Sequence, residues 1–258
     1  HSQGLGTAIL RGKTIRSPLG FANLVLGYPN SDPELIFMTD PFAQLISEAR
    51  TFLTELASNN TRDWFHANKT RYEAHLKTPS QLLQEQLCAN LKKSTGFPVT
   101  AKLFRPQRDI RFSKDKTPYH SHLHMLWQVR GQLDFGFFLG ISPSYCRIGG
   151  GVMGFDKTQL LTWRENVDSA QGTAIATALE SLAQQGFTGG DLELKRVPSA
   201  YDKDHPLADL VRRKSLTLWR DLPACDWSQP LTALNSGFTD LMSLHDLLTT
   251  GLSAEGTP

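Results

Sequence analysis

Between Asp40 and Gly96, apolar residues recur every three or four positions. Phe42, Leu45, Ile46, Ala49, Phe52, Leu53 and Leu56 share one face of an expected helix to about Ala57, which Ser58-Asn59-Asn60 breaks. Asp40-Pro41 supplies its start, with aspartate as N-cap and proline at the first helical position. A second helix is expected from Thr61, capped by Asn60, to about Lys77. Thr78-Pro79 reads as a stop and restart, because proline is tolerated in a first helical turn but not in the interior. Leu83, Leu87 and Leu91 then mark a third helix that ends at Thr95-Gly96.

From Val99 the period shortens. Ala101–Arg105 and Asp109–Ser113 read as short strands either side of an R-P-Q-R turn. Within His120–Arg130, Leu123, Met125, Trp127 and Val129 alternate with His122, His124 and Gln128, the pattern of a half-buried strand. Leu133–Ile141 and Tyr145–Ile148 continue an antiparallel meander. Gly149-Gly150-Gly151 is expected to bend tightly before a helix capped by Asp156, with Gln159 at the capping-box position. A helix over Gly172–Gln185, a strand over Asp191–Val197 and a loop over Ser199–His205 follow. A short helix over Pro206–Lys214 and a strand over Ser215–Trp219 come next. The last helix runs from Gln229 to Leu248, interrupted near Ser236-Gly237. Strands without β-α-β crossovers imply an α+β fold, a mainly antiparallel sheet covered by helices with an N-terminal helical lead-in.

The expected organisation is one α+β domain over residues 38–250 with a loose tail over 251–258. Residues 1–37 read as a poorly ordered extension, or as translated sequence upstream of a start at Met38. They carry no acid up to Ser31, as targeting peptides do, but lack a long apolar region. At 258 residues, 40% hydrophobic and 20% charged, the composition is that of a soluble globular protein with a sizeable core. Cys88, Cys146 and Cys225 are odd in number and far apart. They point to free thiols in a reducing compartment, hence a cytoplasmic location. No apolar run approaches the roughly 20 residues that span a bilayer, so no membrane partner is expected.

Charge changes this bland picture. The net charge is only +2, yet 102–130 and 195–220 together hold fourteen of the 27 Lys+Arg and five of the 25 acids. The expectation is that these stretches converge on one anion site. Arg105, Arg108, Arg111, Lys114 and Lys116 would clamp the anion beside Tyr119, and Lys203 with Arg212 or Arg213 would close it. Arginine suits phosphate because its planar fork donates two parallel charge-assisted bonds. The plainer alternative is a solvated, salt-bridged surface, with Asp109 and Asp115 neutralising part of the charge.

Four stretches have a familiar look: N-N-T-R-D-W-F-H-A-N-K-T-R-Y-E (59–73), F-R-P-Q-R-D-I-R-F-S-K-D-K-T-P-Y (104–119), the glycines at 149–151, and L-K-R-V-P-S-A-Y-D-K-D-H-P-L-A-D-L-V-R-R-K-S (194–215). In that order they resemble a large family of mostly bacterial and fungal proteins catalogued as domain of unknown function 2461. The resemblance covers roughly Phe42 to Leu248. It implies a cytosolic, single-domain α+β protein with no established activity, cofactor or catalytic residues. The family typically lacks histidine at the positions of His120 and His124.

Other motifs weigh less. His120, His122 and His124 alternate on one strand, and two of them could chelate a metal as H-x-H motifs do. A third ligand would have to come from His66, His75 or His205, no paired carboxylate accompanies them, and the surroundings are cationic. The reading is therefore no metal, with His122 kept as an anion contact or general acid. Gly149 to Gly154 matches G-x-G-x-x-G, but no β-α-β unit follows, so no cofactor is expected. Ser113 to Lys116 fits S-x-x-K without its partner motifs. Asp202 and His205 are candidate proton carriers; the plainer reading has Asp204 or His205 capping the short helix and Asp202 paired with Lys203 or an arginine. Asn68 and Lys69 face either a site or water. The leading function is binding of a phosphorylated or polyanionic small ligand, with phosphate-ester hydrolysis or transfer as the concrete reaction if there is one. A nucleic-acid-binding module stacking bases on Phe104, Phe112 or Tyr119 is the second reading. A scaffold docking an acidic partner protein is the third.

Overall fold

A computed structural model describes residues 40–251 apart from residue 132. The expectations for 1–37 and for 252–258 lie outside the described residues. The helical period of 40–96 does produce helices, with different punctuation. Helix α1, Leu45–Ser58, buries Leu45, Ile46, Ala49, Phe52, Leu53 and Leu56. Asp40 is not its cap. The Asp40 carboxylate accepts from the Phe42 N–H and, 191 residues away in sequence, from the Leu231 N–H, both at 2.8 Å. Residues 41–44 consequently form a turn ahead of the helix.

Helix α2, Arg62–Ala67, is capped by Thr61, whose hydroxyl accepts from the Trp64 N–H. Asn60, the expected cap, is used elsewhere. Helix α3 (Lys69–Tyr72), a π-turn (Glu73–Lys77) and α4 (Thr78–Thr95) then follow without a break. The expected stop at Thr78-Pro79 is overturned by the π-turn. The Thr78 N–H bonds five residues back, to the Glu73 carbonyl. That widens the helix where the Pro79 ring would otherwise crowd the preceding carbonyls. Helix α4 ends on Gly96, whose φ of 75° lies in the left-handed region that only glycine adopts freely.

Strands β1 (Val99–Leu103), β2 (Leu123–Val129), β3 (Phe135–Ile141) and β4 (Cys146–Val152) form the meander. Helices α5 (Lys157–Val167) and α6 (Ala170–Gln184) lead to the two-residue β5 (Thr188–Gly189), α7 (Ala208–Val211) and β6 (Leu216–Asp221). A 3-10 turn over Ala224–Ser228 precedes α8 (Pro230–Asp240) and α9 (Met242–Gly251). The six strands pair antiparallel in the order β1-β2-β3-β4-β6-β5. The fold is α+β.

Four local expectations are corrected. Asp109–Ser113 is loop: the Asp109 carboxylate accepts from the Arg111 N–H at 3.2 Å as well as from its guanidinium, which engages a backbone donor locally instead of in a ladder. Asp191–Val197 is also irregular. Glu193 turns its carboxylate to the Lys214 N–H and the Ser215 hydroxyl, and the short β5 pairs with β6 instead. The glycines 149–151 do not bend before a helix but continue β4. The terminal helix breaks at Leu241, not at Ser236-Gly237, and runs to Gly251. Gly237 lies inside α8, and its lack of a side chain serves packing, since a Cβ there would lie 2.0 Å from the Ile148 side chain.

Register gives the sheet two unlike faces. On one, Ala101, Trp127, Phe137, Gly150 and Leu218 lie in a row across the strands. This face meets the helices. The Trp127 indole N–H donates to the Gln84 carbonyl of α4 at 3.1 Å, and its ring lies 5.5 Å from Phe238 of α8. Each such ring taken out of water contributes roughly 1.5–3 kcal/mol. On the other face, Leu126, Phe138, Gly149 and Trp219 form one row, and His124, Gly140, Arg147 and Asp221 form the next.

Candidate functional site

The cationic loop of residues 104–122 joins β1 to β2. It is held shut by backbone bonds from Arg108 to Pro118 and from His120 to Pro106, at 2.9 and 2.7 Å. Gln107 and Tyr119 form an isolated bridge. Asn60 ties the Tyr119 backbone to the start of α2, and Phe65 of α2 stacks on the Tyr119 ring at 4.1 Å. Tyr119 is therefore buried packing, not the ligand contact expected of it. Its loop neighbours are largely self-neutralised. Arg108, half-buried, bonds to the Asp115 carboxylate and the Thr117 hydroxyl. Arg111 forks onto Asp109 at 2.9 and 2.6 Å. Lys116 donates to the Ile110 carbonyl at 3.0 Å. The Thr117 N–H and the Arg108 guanidinium hold the Asp115 carboxyl down at about 2, and the Arg111 bonds hold Asp109 below the usual range. Arg105 and Lys114 are exposed.

The second cationic stretch lies elsewhere. The loop leaves β1, one edge of the sheet, whereas residues 195–215 lead into β6, four strands away beside the opposite edge. Leu103, at the loop end of β1, is level with Arg220, so Leu216 opens β6 at the other end of the sheet. The two stretches are thus separated by the sheet itself, and the expected convergence does not occur. Arg212 bonds to Asp209 at 2.7 Å, Arg213 to the Gly190 carbonyl at 3.1 Å, and exposed Lys203 lies 3.6 Å from Asp204. Asp202 accepts from the Asp204 N–H. His205 Nδ1 accepts from the Leu207 N–H at 2.9 Å, which leaves Nε2 to donate to Asp168 at 3.1 Å. Asp202 and His205 are occupied in local turns rather than as caps of α7, whose N-cap position is Leu207 with no side-chain bond.

What the cationic loop does meet is the helical lead-in. Arg105, Pro106 and Gln107 line a cavity of about 370 Å³ together with Phe65, Lys69, Tyr72, Glu73 and Lys77. Lys77, the last residue of the π-turn, lines this cleft one helical repeat beyond Glu73. Lys69 lies 4.0 Å from Glu73, leaving an excess of cations. Burial, then the Glu73 charge, pushes the Tyr72 phenol up to about 12. Lys69 was visible in the sequence as a residue facing either site or water; Lys77 was missed, although its i, i+8 spacing from Lys69 already puts the two on one side of a helix.

The histidines form a stack rather than a chelate. His120 and His122 lie 4.7 Å apart between ring centroids, and His122 and His124 lie 3.9 Å apart and nearly parallel. Stacked rings aim their nitrogens sideways, not at a common point. Among the described residues, no group of three or more His, Cys, Asp or Glu side chains could hold a metal ion. Burial, then the neighbouring positive charges, lowers all three below the ordinary imidazole value, His124 to about 4. His122, the candidate general acid, therefore favours its neutral form.

His124 opens onto the uncovered sheet face, where the triple glycine finds its reason. A Cβ on Gly149 would lie 2.6 Å from the Trp219 ring and 2.4 Å from the Leu218 carbonyl. One on Gly136 would lie 2.5 Å from the Phe138 ring. These glycines let two aromatic rings lie flat on the strands. Phe138 and Trp219, 5.3 Å apart, thereby wall a cavity of about 400 Å³ with Phe104, His124, Tyr145 and Arg147.

An antiparallel sheet backed by helices on one face, aromatic on the other and bordered by a cationic cleft defines an α+β class. The family model described as "Conserved hypothetical protein (DUF2461)" matches residues 48–246, and the chain belongs to this family. The matched span begins in α1 and ends in α9, so it contains both cavities. No curated protein and no solved structure matches the chain. Among the described residues, no helix is long and apolar enough to cross a membrane.

Proposed function

We propose that this protein binds a phosphorylated or otherwise anionic small ligand in the cleft between the π-turn and residues 105–107. The observation that supports this reading is the meeting of Lys69, Lys77 and Arg105 around one cavity of about 370 Å³. Lys69 and Lys77 come from the continuous α3–π-turn segment and Arg105 from the loop after β1, and Glu73 is the only carboxylate in that lining. Three cations held together repel one another, and a bound anion offsets that repulsion in a partly desolvated cleft where each contact is strengthened. Phe65, Tyr72 and Phe104 supply apolar walls, as small-molecule sites require. The proposal is one of binding. His122, Asp202 and His205, the sequence candidates for proton transfer, lie outside this lining. The three unpaired cysteines favour work in a reducing, cytoplasmic setting.

A second reading rests on Phe112, which is 95% exposed beside the Arg111 guanidinium. An exposed ring among cations is the element that stacks on a base while arginine and lysine follow a phosphate backbone. One experiment separates the two. Thermal melting is followed with pyrophosphate, glucose 6-phosphate, AMP and a single-stranded oligonucleotide, at matched ionic strength, for wild type, Lys77→Ala and Arg105→Ala. The cleft reading expects a small phosphate to raise the melting temperature above sulfate, and both variants to lose the shift. A shift confined to the oligonucleotide, lost in Phe112→Ala and steeply salt-dependent, would transfer the function to the loop tip. If no anion exceeds sulfate, both readings fail.

A further inference from the structure

The uncovered sheet face shares only Phe104 with the cationic cleft, yet it is built with unusual care. Its cavity of about 400 Å³ is the size of sites that take small organic molecules, about 300–1,000 Å³. Phe138 and Trp219 lie flat over glycines, Phe104 stands at one side, and Gly140 leaves the floor without a side chain. Met153, 66% exposed, forms part of the rim. Methionine is the apolar side chain that adapts best to a guest of irregular outline.

The polar groups of this cavity are few and unequal. His124 Nε2 and the Tyr145 hydroxyl satisfy each other at 2.8 Å. Arg147 is different. Its guanidinium lies over the Tyr145 ring at 4.2 Å, and its nearest carboxylate, Asp221, is 3.8 Å away, too far for a hydrogen bond. Its Nε is buried without a hydrogen-bond partner. Arg147 is the one charged residue lining the cavity, so the site joins flat aromatic walls to a single fork that can take two oxygens side by side.

We infer that the uncovered sheet face is a second ligand site, beside the cationic cleft and joined to it only through Phe104, for a planar aromatic monoanion such as an arenecarboxylate. The ring enters between Phe104, Phe138 and Trp219, where offset or edge-on contacts between rings add to the burial of apolar area. The carboxylate meets Arg147, which then exchanges a distant partner for a close one. A neutral ring gains only the walls, and an aliphatic acid gains only the fork.

The test uses 2-naphthoate on the full chain, with 2-naphthol and cyclohexanecarboxylate as the probes lacking charge and planarity. Calorimetry is expected to give one saturable site for 2-naphthoate and weaker binding of both others. Arg147→Gln should weaken 2-naphthoate by about tenfold, the loss of a charge-assisted pair, and leave 2-naphthol unchanged. Quenching of tryptophan fluorescence by 2-naphthoate should disappear in Trp219→Phe while calorimetric binding persists. Lys77→Ala should change none of these values, which keeps this site distinct from the cationic cleft. If Arg147→Gln does not fold, Phe104→Ala, at an exposed position, must weaken both aromatic probes. Absence of saturable binding, equal affinity for all three probes, or binding indifferent to both Arg147→Gln and Phe104→Ala would each overturn the assignment.

Discussion

The Asn60 carboxamide grips the backbone of Tyr119 at both ends of one residue. Its Nδ2 donates to the Tyr119 carbonyl at 2.8 Å, and its Oδ1 accepts from the Tyr119 N–H at 3.1 Å. This clasp joins the start of α2 to the end of the cationic loop, 59 residues on. The Phe65–Tyr119 ring stack lies beside it. Together they fix where the loop turns back into β2, and with it where Arg105 stands relative to Lys69 and Lys77.

Removing the clasp should therefore cost more than an ordinary polar truncation. Asn60→Ala leaves a backbone donor and a backbone acceptor unmatched in a half-buried setting, an expected loss of about 1–3 kcal/mol. Asn59→Ala, whose exposed side chain bonds only to the Glu55 carbonyl, should cost less than about 1 kcal/mol. Urea unfolding midpoints of the two variants check this, and equal losses would contradict the clasp.

The aromatic face depends on the absence of side chains at specific positions. Gly149→Ala would press a methyl group against the Leu218 carbonyl, a backbone atom that cannot swing away. Overpacking of that kind costs about 1–3 kcal/mol and here also displaces Trp219. Gly154→Ala meets nothing within 4 Å and should be neutral or slightly stabilising. Thermal melts of the pair, with tryptophan emission to report Trp219, distinguish a packing requirement from a general intolerance of the glycine-rich stretch.

Acid should weaken the fold in two windows. The folded His124 titrates near 4 rather than 6.5, through burial first and then the charges of His122, His120 and Arg147. Between those values the unfolded chain binds a proton that the folded chain refuses. Stability is thus at its full level above about pH 6.5 and falls as the pH drops toward 4. His120 and His122 act in the same direction. Asp115, held at about 2 against an ordinary 3.8, adds a second loss only below that upper value. His124→Gln should flatten the slope between pH 6.5 and 4, measured by urea unfolding at stepped pH, and leave the lower window unchanged.

Much of this architecture could be read from local chemistry. The alternation of Leu123, Met125, Trp127 and Val129 survives as one buried face of β2, and Asp156 with Gln159 does form the capping box. Both depend on neighbours within a few residues. The errors came where a side chain is claimed from far away. Asp40 serves Leu231, and Asn60 serves Tyr119, so each looked like a cap for the helix nearest in sequence. Pro79 looked like a stop because nothing local announces the π-turn that accommodates it. The candidate site suffered in the same way. Charge density marked two unusual stretches, but it is blind to strand order, and the sheet places one at its β1 edge and the other four strands away, ahead of β6.

Thiol reactivity offers an independent check on how the three cysteines are placed. Burial pushes the Cys146 thiol up to about 12, and the strand beside Arg147 leaves it almost no exposed surface. Cys88 is partly covered and is raised by burial and then by the Glu85 charge. Cys225, in the 3-10 turn before α8, is exposed. Because the thiolate is the reacting species, maleimide at neutral pH should label Cys225 rapidly, Cys88 slowly and Cys146 only after unfolding. Mass spectrometry over time should reveal one fast adduct, absent in Cys225→Ser. Fast labelling of Cys146 in the native protein would mean that β4 opens far more readily than its place between β3 and β6 allows.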